Sequence, residues 1–414
     1  MPPADPSRPP SLSPARGGLR ELAGVFLKLG ATAFGGPAVH LALLEDEAVR
    51  RRGWLTRAEF LDLLGVTNLI PGPNSTEMAI HLGLRRAGWR GLLVAGACFI
   101  LPAFLITLAC AAFYVRFASL PQLQGALYGV KPVVLAIVAQ ALWRLGRVAC
   151  TTRAAAMVAL VALVANLLGV HELVVLVVAG VAVPIARRVG PRPRPPAGRT
   201  SAGGGPPTTS TSSPGASVPP VAAIAAPTLL LGLGAPATTA PAGVGLVALF
   251  GFFAKVGAVL YGSGYVLIAF LRADLVDRWG WLSEAQLLDA IAVGQITPGP
   301  LFTTATFIGY VLAGGAGAVV ATVGMFLPAF VFVALSAPFV PRLRQSPLAA
   351  AFLDGVNAAS LALMGAATIQ LVRGAMIDAT TVGLALAAVV LLFLFRLNAT
   401  WLILAAAVVG LATH

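Results

Sequence analysis

Two Pro-Gly-Pro breaks, Pro71-Gly72-Pro73 and Pro298-Gly299-Pro300, interrupt apolar stretches of the chain. Proline supplies no amide donor and prevents a continuous helix, so each break exposes backbone groups that must meet protein, water or a ligand. A helix beginning directly after such a break points N–H groups and a positive dipole end at it, which favours an anion. Simple packing kinks are the alternative interpretation. The residues suited to begin these helices are Asn74, Ser75, Thr76, Thr303 and Thr304.

A second pair of interruptions follows a lysine in each half of the chain. Phe34-Gly35-Gly36-Pro37 comes after Lys28, and Gly262-Ser263-Gly264 comes after Lys255. A lysine inside an apolar segment costs free energy unless it is paired or hydrated, and an anionic ligand is one partner that stabilises it. Snorkelling of the ammonium group to the membrane interface is the alternative. The sequence therefore raises the hypothesis that both lysines face an anion.

Three carboxylates and a histidine are candidates for charge balance or proton transfer. Asp62 and Asp289 each lie nine residues before a Pro-Gly-Pro break, where they could cap a helix, pair with the lysines or carry protons. Glu77 and His81 are four residues apart and share a helical face. A proton relay or a structural hydrogen bond explains this pair equally well. His40 and Asp354 are weaker candidates of the same kind.

The composition says which elements must position these residues. Of 414 residues, 58% are hydrophobic and 10% are charged, against about 25% charged in soluble domains. The net charge of +13 is spread between apolar runs, unlike the single basic face of a nucleic-acid-binding protein. The three cysteines show no metal or redox spacing. We therefore expect an all-α polytopic protein of the lipid bilayer, with no nucleic-acid partner and no cofactor. The sequence leaves open whether the chain forms a homo-oligomer.

Twelve apolar segments form two sets, each long enough to predict helices. The first set covers about 19–44, 60–84, 91–115, 122–143, 154–169 and 171–186, and the second 245–271, 286–312, 314–338, 348–371, 379–395 and 397–412. The predicted organisation is a disordered tail (1–18), a first repeat (19–189), a disordered linker (190–217), a linking span (218–240) and a second repeat (244–414).

The two sets are copies of one unit. Lys28-Leu29-Gly30-Ala31 matches Lys255-Val256-Gly257-Ala258, Gly53-Trp54-Leu55 matches Gly280-Trp281-Leu282, and the Pro-Gly-Pro breaks match each other. All share one offset, 227 residues, which indicates an internal duplication. Gly/Pro-interrupted segments at matching positions of inverted repeats are typical of secondary transporters.

Arginine placement predicts the orientation. If every segment of the first set crosses the membrane, fourteen arginines of that half lie on one side and five on the other. In the second half the first of these sides carries one arginine and the other carries five. Arginines concentrate in cytoplasmic loops, so the halves have opposite orientations and one crossing joins them. We expect thirteen spans in an inner (plasma) membrane, with a cytoplasmic N-terminus and an external C-terminus.

No catalytic motif appears in the sequence. Glu77-x-x-x-His81 lacks metalloprotease spacing, and there is no nucleophile elbow or nucleotide-binding loop. The sequence therefore predicts that the chain is not an enzyme, although an intramembrane enzyme is the alternative from another class.

Taken together, these motifs resemble those of the chromate ion transporter family. Lys28-x-Gly30, Phe34 to Pro37, Gly53-Trp54-Leu55 and Pro71 to Pro73 look like the family's repeated domain, over roughly residues 20–170 and 250–412. Long members resemble a fusion of two halves that occur separately as paired short proteins of opposite topology.

The resemblance implies export of chromate, a sulfate-like dianion, driven by the proton motive force and giving chromate resistance. Transport of sulfate or another small oxyanion is the alternative. The resemblance also makes the Gly-Gly-Pro and Pro-Gly-Pro segments the leading site, although Ser263 and Gly264 depart from Gly-Pro in the second copy. We expect the anion to bind between these breaks, facing Lys28 and Lys255, with Asp62, Glu77, His81 and Asp289 as coupling or charge-balancing groups.

Overall fold

The computed structural model describes residues 18–33, 37–117, 120–150, 152–189, 244–261, 264–336, 347–395, 397 and 399–413. Within these ranges the chain is helical and contains no β-strand. The predicted linker (190–217) and linking span (218–240) lie outside the described residues, as does the predicted tail apart from Gly18.

Each half of the chain contributes the same series of helices. The first half contains α1 (Leu19–Thr32), α2 (Pro37–Glu45), a π-helical turn (Asp46–Arg51), α3 (Arg57–Thr67), α4 (Asn74–Phe117), α5 (Pro121–Ala149), α6 (Arg153–Leu167) and α7 (Glu172–Val189). The second contains α8 (Leu246–Val259), α9 (Leu267–Leu271), a π-helical turn (Arg272–Arg278), α10 (Glu284–Ile296), α11 (Thr304–Ser336), α12 (Pro347–Ala375), α13 (Ala379–Phe393) and α14 (Ala399–Thr413).

Local sequence signals recur at matching helix starts. α3 begins with a capping box in which the Thr56 side chain accepts from the Glu59 N–H and the Glu59 carboxylate accepts from the Thr56 N–H. α10 begins with the same arrangement between Ser283 and Gln286. Each box satisfies amide donors that have no partner inside the helix. The Thr56 N–H, with Arg85 beside it, holds the pKa of Glu59 below its usual range.

Four helices among the described residues are long and apolar enough to cross a membrane: Asn74–Phe117, Pro121–Arg147, Leu301–Ser336 and Ala350–Ala375. Shorter apolar helices pack around them, and their outward faces carry large hydrophobic side chains such as Val161, Val178, Leu386 and Val408. Contiguous exposed apolar surface of this kind is typical of lipid contact. The protein is therefore an all-helical, multi-pass membrane protein.

α4 is a hairpin of two arms. Ala87 and Gly88 leave the helical region, with Gly88 at φ 61° and ψ −148°. A Cβ atom added to Gly83 would collide with the carbonyl oxygen of Gly91, and one added to Gly96 would lie 2.9 Å from Ile80. In a straight helix, residues 80 and 96 would be about 24 Å apart. The short arm therefore folds back along the long arm, which continues to Phe117.

α11 repeats this hairpin in the second half. Ala313 and Gly314 take almost the same dihedral angles, with Gly314 at φ 63° and ψ −156°. The hydroxyl groups of Thr306 and Thr322 are 2.7 Å apart although sixteen residues separate them. The equivalent bends in α4 and α11 show that the internal duplication extends to the backbone.

The first two apolar segments of the first half fold back instead of forming continuous helices. Glu21, at the start of α1, pairs with Arg52 at 2.6 Å, so α1 and α2 with its π-helical turn run in opposite directions. Glu59, at the start of α3, pairs with Arg85 at the end of the short arm of α4 at 2.9 Å. Each segment is therefore a helical hairpin, and the second one turns at the predicted break, Pro71-Gly72-Pro73. This differs from the single crossings that the sequence predicts, because hydropathy does not encode helix direction.

The second half contains the same two hairpins. Phe252 of α8 packs on Trp279 with ring centroids 5.3 Å apart, and Lys255 pairs with Asp274 at 2.5 Å. These contacts bring α8 back alongside the π-helical turn that follows α9. α10 and the short arm of α11 form the fourth hairpin, whose tip holds the second Pro-Gly-Pro break.

The bases of the hairpins define two ends of the molecule. The Arg52 face holds the ion pairs of Glu21, Arg52, Glu59 and Arg85. The Arg272 face holds those of Arg272 with Asp277 and Glu284. The long arms of α4 and α11 run between these faces in opposite directions, since Leu92 at the start of one clusters with Val333 at the end of the other.

Candidate functional site

The four hairpin tips meet in the middle of the molecule. The N–H of Gly72 donates to the carbonyl oxygen of Leu260 at 2.7 Å, and the N–H of Gly299 donates to the carbonyl oxygen of Ala33 at 2.8 Å. These two bonds are equivalent in the repeat, because 33 and 260, like 72 and 299, differ by 227. Each Pro-Gly-Pro break is thus joined through the main chain to the residue that follows α8 or α1 in the opposite half.

Glycine is required at the first Pro-Gly-Pro break for two reasons. Gly72 has φ 139°, a conformation that residues with a side chain rarely adopt. An added Cβ atom would also collide with the Glu77 carboxylate, so that carboxylate lies directly against the Gly72 backbone. The break therefore brings main-chain groups and an acidic side chain together at one point.

The short arm of α4 starts at this tip. The N–H groups of Thr76 and Glu77 donate to the Pro73 carbonyl oxygen, so the helix begins immediately after the break. The amides of Asn74 and Ser75 precede this first hydrogen bond and point toward the tips, at the positive end of the helix dipole. His40 lies across this turn, 3.0 Å from the Ala33 carbonyl oxygen and 3.3 Å from the Ser75 hydroxyl.

Buried polar atoms without a hydrogen-bond partner cluster along the first turns of α4. Within the described ranges these include Thr76 Oγ1, both carboxylate oxygens of Glu77 and His81 Nε2. Glu77 is fully buried. A buried carboxylate without a partner is stable only as the neutral acid or beside a cation, and unsatisfied buried donors or acceptors each cost about 1–3 kcal/mol. The site therefore has unused capacity to bind a proton or a polar ligand.

The second Pro-Gly-Pro tip differs from the first. A 3₁₀ turn (Leu301–Thr303) separates the break from α11. The hydroxyl of Thr303 donates to the Pro300 carbonyl oxygen at 2.9 Å, and that of Thr304 donates to the Leu301 carbonyl oxygen at 2.8 Å. These hydroxyls already have acceptors, whereas the Thr76 hydroxyl at the first tip has none among the described residues. The buried Gln295 amide nitrogen, three residues before the second break, also has no described partner.

The lysines lie differently from the hypothesis drawn from sequence. Lys28 is exposed on α1, and no carboxylate of the described residues lies within ion-pair distance of it. Lys255 pairs with Asp274 at 2.5 Å and lies near the Phe252 and Trp279 rings. Its ammonium group is therefore engaged near the Arg272 face rather than at the tips.

The aspartates also occupy different surroundings. Asp289 is buried and contacts neither Lys28 nor Lys255. Its carboxylate accepts from the Tyr114 hydroxyl at 3.0 Å and lies 3.3 Å from the Lys131 ammonium. Asp62 is half-buried on α3. Of the predicted coupling groups, Glu77 and His81 lie in the helix arm that starts at the tips, and Asp289 lies toward the Arg272 face.

Several predicted residues fall outside the described ranges. Phe34, Gly35, Gly36, Gly262 and Ser263 are among them, and Pro37 begins α2. No sequence motif indicates the roles of Lys131, Tyr114 or the carbonyl groups of Ala33 and Leu260. Lys131 is one of only three lysines in the chain, and this rarity was an available signal.

Broken helices that meet in pairs at the centre of two related repeats are typical of secondary transporters. The chain belongs to the chromate transporter family, whose model matches residues 20–184 and again residues 247–411. This double match agrees with the internal duplication.

Curated relatives cover almost the whole chain. A chromate transport protein of Cupriavidus metallidurans is 33% identical over 398 residues, which is 96% of this chain and 93% of that protein. A chromate transport protein of Pseudomonas aeruginosa is 33% identical over 392 residues, which is 93% of this chain and 90% of that protein. Both relatives are named as transport proteins rather than enzymes. No solved structure is significantly similar to the chain.

Proposed function

We propose that this protein is a secondary active transporter that exports chromate, or a closely similar sulfate-like oxyanion, from the cytoplasm and thereby gives chromate resistance. The observation that carries the proposal is the meeting of four broken helices at one point, with the Asn74 and Ser75 amides of α4 directed at it. Main-chain amides at a helix N-terminus bind compact oxyanions without requiring an arginine clamp. The names of the relatives supply the choice of chromate.

The proposed binding site lies between the tips. Its ligands are main-chain groups of the breaks and the hydroxyl and amide side chains beside them. The set comprises Phe34, Gly35, Gly36, Pro37, Pro71, Gly72, Pro73, Asn74, Ser75 and Thr76 from the first half, and Gly262, Ser263, Pro298, Gly299, Pro300 and Thr303 from the second. Lys255 pairs with Asp274 and Lys28 is exposed, so neither lysine is included. Within it, Ser75 and Thr76 are the strongest members, because their helix turn faces the tips and the Thr76 hydroxyl has no partner in the described structure.

In this proposal the proton motive force drives transport, and Glu77 is the group that couples proton movement to oxyanion movement. Its carboxylate touches the Gly72 backbone, so an ionised Glu77 repels an oxyanion held at the same tip, whereas a protonated one does not. Proton and oxyanion binding are linked through this one contact. His81 lies one turn further along the same face and relays the proton, while Asp62 and Asp289 balance charge nearer the two faces.

We further propose that the repeats (19–189 and 244–414) have inverted topology with nine crossings rather than thirteen. The four tip hairpins re-enter the membrane without crossing it. The long arms of α4 and α11 cross, as do α5, α6, α7, α12, α13 and α14, and one crossing lies within 218–240. The antiparallel long arms support this arrangement. α7 starts at the Arg272 face, where Glu172 lies 3.9 Å from Arg278, so it ends at the Arg52 face.

Arginine placement supports a cytoplasmic Arg52 face. Among the arginines whose side chains the structure describes, ten lie at the Arg52 end and four at the Arg272 end. Arginines concentrate in cytoplasmic segments, so the N-terminus is cytoplasmic and the C-terminus external. The ten are Arg20, Arg50, Arg51, Arg52, Arg57, Arg85, Arg86, Arg90, Arg144 and Arg147, and the four are Arg116, Arg272, Arg278 and Arg373.

Transport is tested in everted membrane vesicles with labelled chromate. We expect ATP-independent accumulation that an uncoupler abolishes, because the vesicle interior corresponds to the cell exterior. Sulfate in excess is the competitor that distinguishes a chromate-selective carrier from a general oxyanion carrier. Absence of accumulation by wild-type protein that is folded and inserted would refute the proposed function. Chemical turnover of an added substrate without its movement would indicate an intramembrane enzyme instead.

Topology is tested separately with single cysteines and a membrane-impermeant thiol reagent on intact cells, after Cys98, Cys110 and Cys150 are replaced. A cysteine at Arg50 lies on the Arg52 face and one at Asp277 on the Arg272 face. We expect labelling at position 277 and none at position 50. The thirteen-span arrangement places position 50 outside, so labelling there would contradict the re-entrant hairpins.

A further inference from the structure

A cavity of about 340 Å³ opens beside the Arg272 face, away from the hairpin tips. Side chains from α4, α5, α10 and α13 line it, among them Tyr114, Tyr128, Lys131, Asp289 and Thr381. Its position at this face is fixed by Gly374, another lining residue, because a Cβ atom there would lie 2.9 Å from the Glu284 carboxylate that Arg272 binds. A water molecule occupies about 30 Å³ in the liquid, so the cavity has room for a small hydrated anion.

The cavity contains one cation and one carboxylate among its described lining residues. Lys131 Nζ lies 3.3 Å from Asp289 Oδ1, within ion-pair distance, yet that oxygen accepts no hydrogen bond from any described group. Tyr114 holds the other carboxylate oxygen at 3.0 Å. The ammonium group carries three donors, and its side chain is 20% exposed, so it can reach a ligand in the cavity while still near Asp289.

A line of side chains connects this cavity to the tips. Tyr114 and Thr107 lie seven residues apart on the same face of α4, about 10 Å along the helix. The Thr107 hydroxyl lies 3.4 Å from that of Thr303, which follows the second Pro-Gly-Pro break. The Tyr114 ring packs on Phe307 of the same hairpin, with centroids 5.0 Å apart. The cavity is therefore about two helical turns from the centre.

The cation is not repeated in the other half. Gly129-Val130 recurs as Gly355-Val356, so the residue equivalent to Lys131 is Asn357. The duplication alone does not explain a lysine at this position, and an apolar or neutral residue would satisfy packing at lower cost.

We propose that this cavity is a second oxyanion subsite, between the hairpin tips and the Arg272 face, in which Lys131 is the cationic ligand and Asp289 is the counter-ion that the anion displaces. This inference rests on the proposed function and extends it, because nothing in the central site involves Lys131. An oxyanion that moves from the tips toward this cavity meets the Lys131 ammonium about two helical turns from the centre. Asp289 then competes for the same ammonium group and limits how tightly the anion is held. This competition allows the oxyanion to bind at Lys131 and still be released.

The first test measures chromate uptake into everted vesicles for variants of the pair. Lys131→Gln removes the charge, and we expect the half-saturating chromate concentration to rise at least about tenfold, the loss typical of a charge-assisted hydrogen bond. Lys131→Arg keeps the charge and stays within a few-fold of wild type. Asp289→Asn removes the carboxylate that competes with the anion for Lys131. We expect the half-saturating chromate concentration to fall, and the maximal rate of uptake to fall as well.

The double variant Lys131→Gln/Asp289→Asn separates ligand binding from structural pairing. It leaves no unpaired buried carboxylate, so misfolding does not confound the result. We expect its half-saturation to remain raised at least about tenfold. If the double variant transports like wild type, Lys131 serves only to neutralise Asp289 and the inference is wrong.

The second test uses purified protein and does not depend on transport. Gln124 lines the cavity and is exposed, so a cysteine there, in a chain whose native cysteines are replaced, reports occupancy through its rate of thiol labelling. Sulfate and molybdate are the probes, because chromate oxidises thiols. We expect either anion to slow labelling several-fold, and Lys131→Gln to abolish this protection. Unchanged labelling with both anions would overturn the subsite, even where wild-type vesicles transport chromate. Protection without wild-type transport would keep the subsite and refute the proposed function alone.

Discussion

Replacing Gly72 with alanine is the most direct test of the site at the tips. Gly72 has φ 139°, and its N–H donates to Leu260 at 2.7 Å. The added methyl group would meet the Glu77 carboxylate, which must then move away from the tip. Gly53→Ala is the matched control, because Gly53 also has a positive φ of 57° but a Cβ atom there meets nothing within 4 Å.

The expected magnitudes follow from these differences. Both substitutions place alanine in an unfavourable backbone region, which costs about 1–2 kcal/mol at Gly53. At Gly72 the conformational cost is about 1–3 kcal/mol, and weakening of the hydrogen bond to Leu260 adds about 1 kcal/mol. Gly72→Ala is therefore expected to be moderately less stable than the control. Displacement of reacting or binding groups by about 1 Å reduces rates by up to about a hundredfold. We accordingly expect at least tenfold slower transport.

Both variants are purified, and the thermal transition and the fraction of monodisperse protein are measured before chromate uptake is compared per folded molecule. Gly53→Ala is expected to transport within twofold of wild type. If Gly72→Ala matches the control in transport while its thermal transition is lowered, the contact between Gly72 and Glu77 has no part in transport. The proposed coupling through Glu77 would then be wrong.

Three further substitutions test other parts of the structure. Glu77→Gln keeps the side-chain shape but removes the charge. We expect an unchanged or raised thermal transition and the loss of uncoupler-sensitive chromate uptake. Retained uptake would contradict the coupling role of Glu77. Arg52→Ala leaves the buried Glu47 carboxylate without its 2.9 Å partner and should cost about 1–3 kcal/mol in unfolding, against less than about 0.5 kcal/mol for exposed Arg50→Ala. The pKa of Glu59 is lowered in the folded state, so its carboxylate stabilises the fold above pH of about 4, and this stabilisation is lost as the pH falls further. Glutamine occupies the equivalent position 286. Glu59→Gln should therefore reduce the decrease in the thermal transition at acid pH.

The sequence predicts those features that depend on local chemistry. The helix breaks at Pro71–Pro73 and Pro298–Pro300 follow from the missing proline amide. The capping boxes at Thr56 and Ser283 are not among the predicted features, although a Ser or Thr three residues before Glu or Gln is a local signal for them. The duplication is visible in the shared offset. The backbone confirms the breaks and the duplication, because proline acts on its own helix turn and the same bend recurs in α4 and α11.

Features that depend on helix direction or on distant pairs could not be predicted. The segment 19–44 has the hydropathy of a single crossing, and only the ion pair between Glu21 and Arg52 shows that it folds back. Lys131 and Asp289 are 158 residues apart, so no local pattern joins them. The fold-back also places Arg50, Arg51 and Arg52 at the arginine-rich end, whereas single crossings would place them on the opposite side.

The reciprocal hydrogen bonds between the hairpin tips have a consequence for biogenesis. α2 and α9 contain nine and five residues, too few to remain in a bilayer on their own, and the tips that flank them expose main-chain groups. The Gly72 amide finds its acceptor only at Leu260, which the ribosome adds 188 residues later. The Gly72 amide of the first half therefore lacks its hydrogen-bond acceptor until the second half has been synthesised and inserted. The tips are thus completed only after the second half is synthesised, and a chain truncated before residue 260 should be degraded by membrane quality-control proteases rather than accumulate.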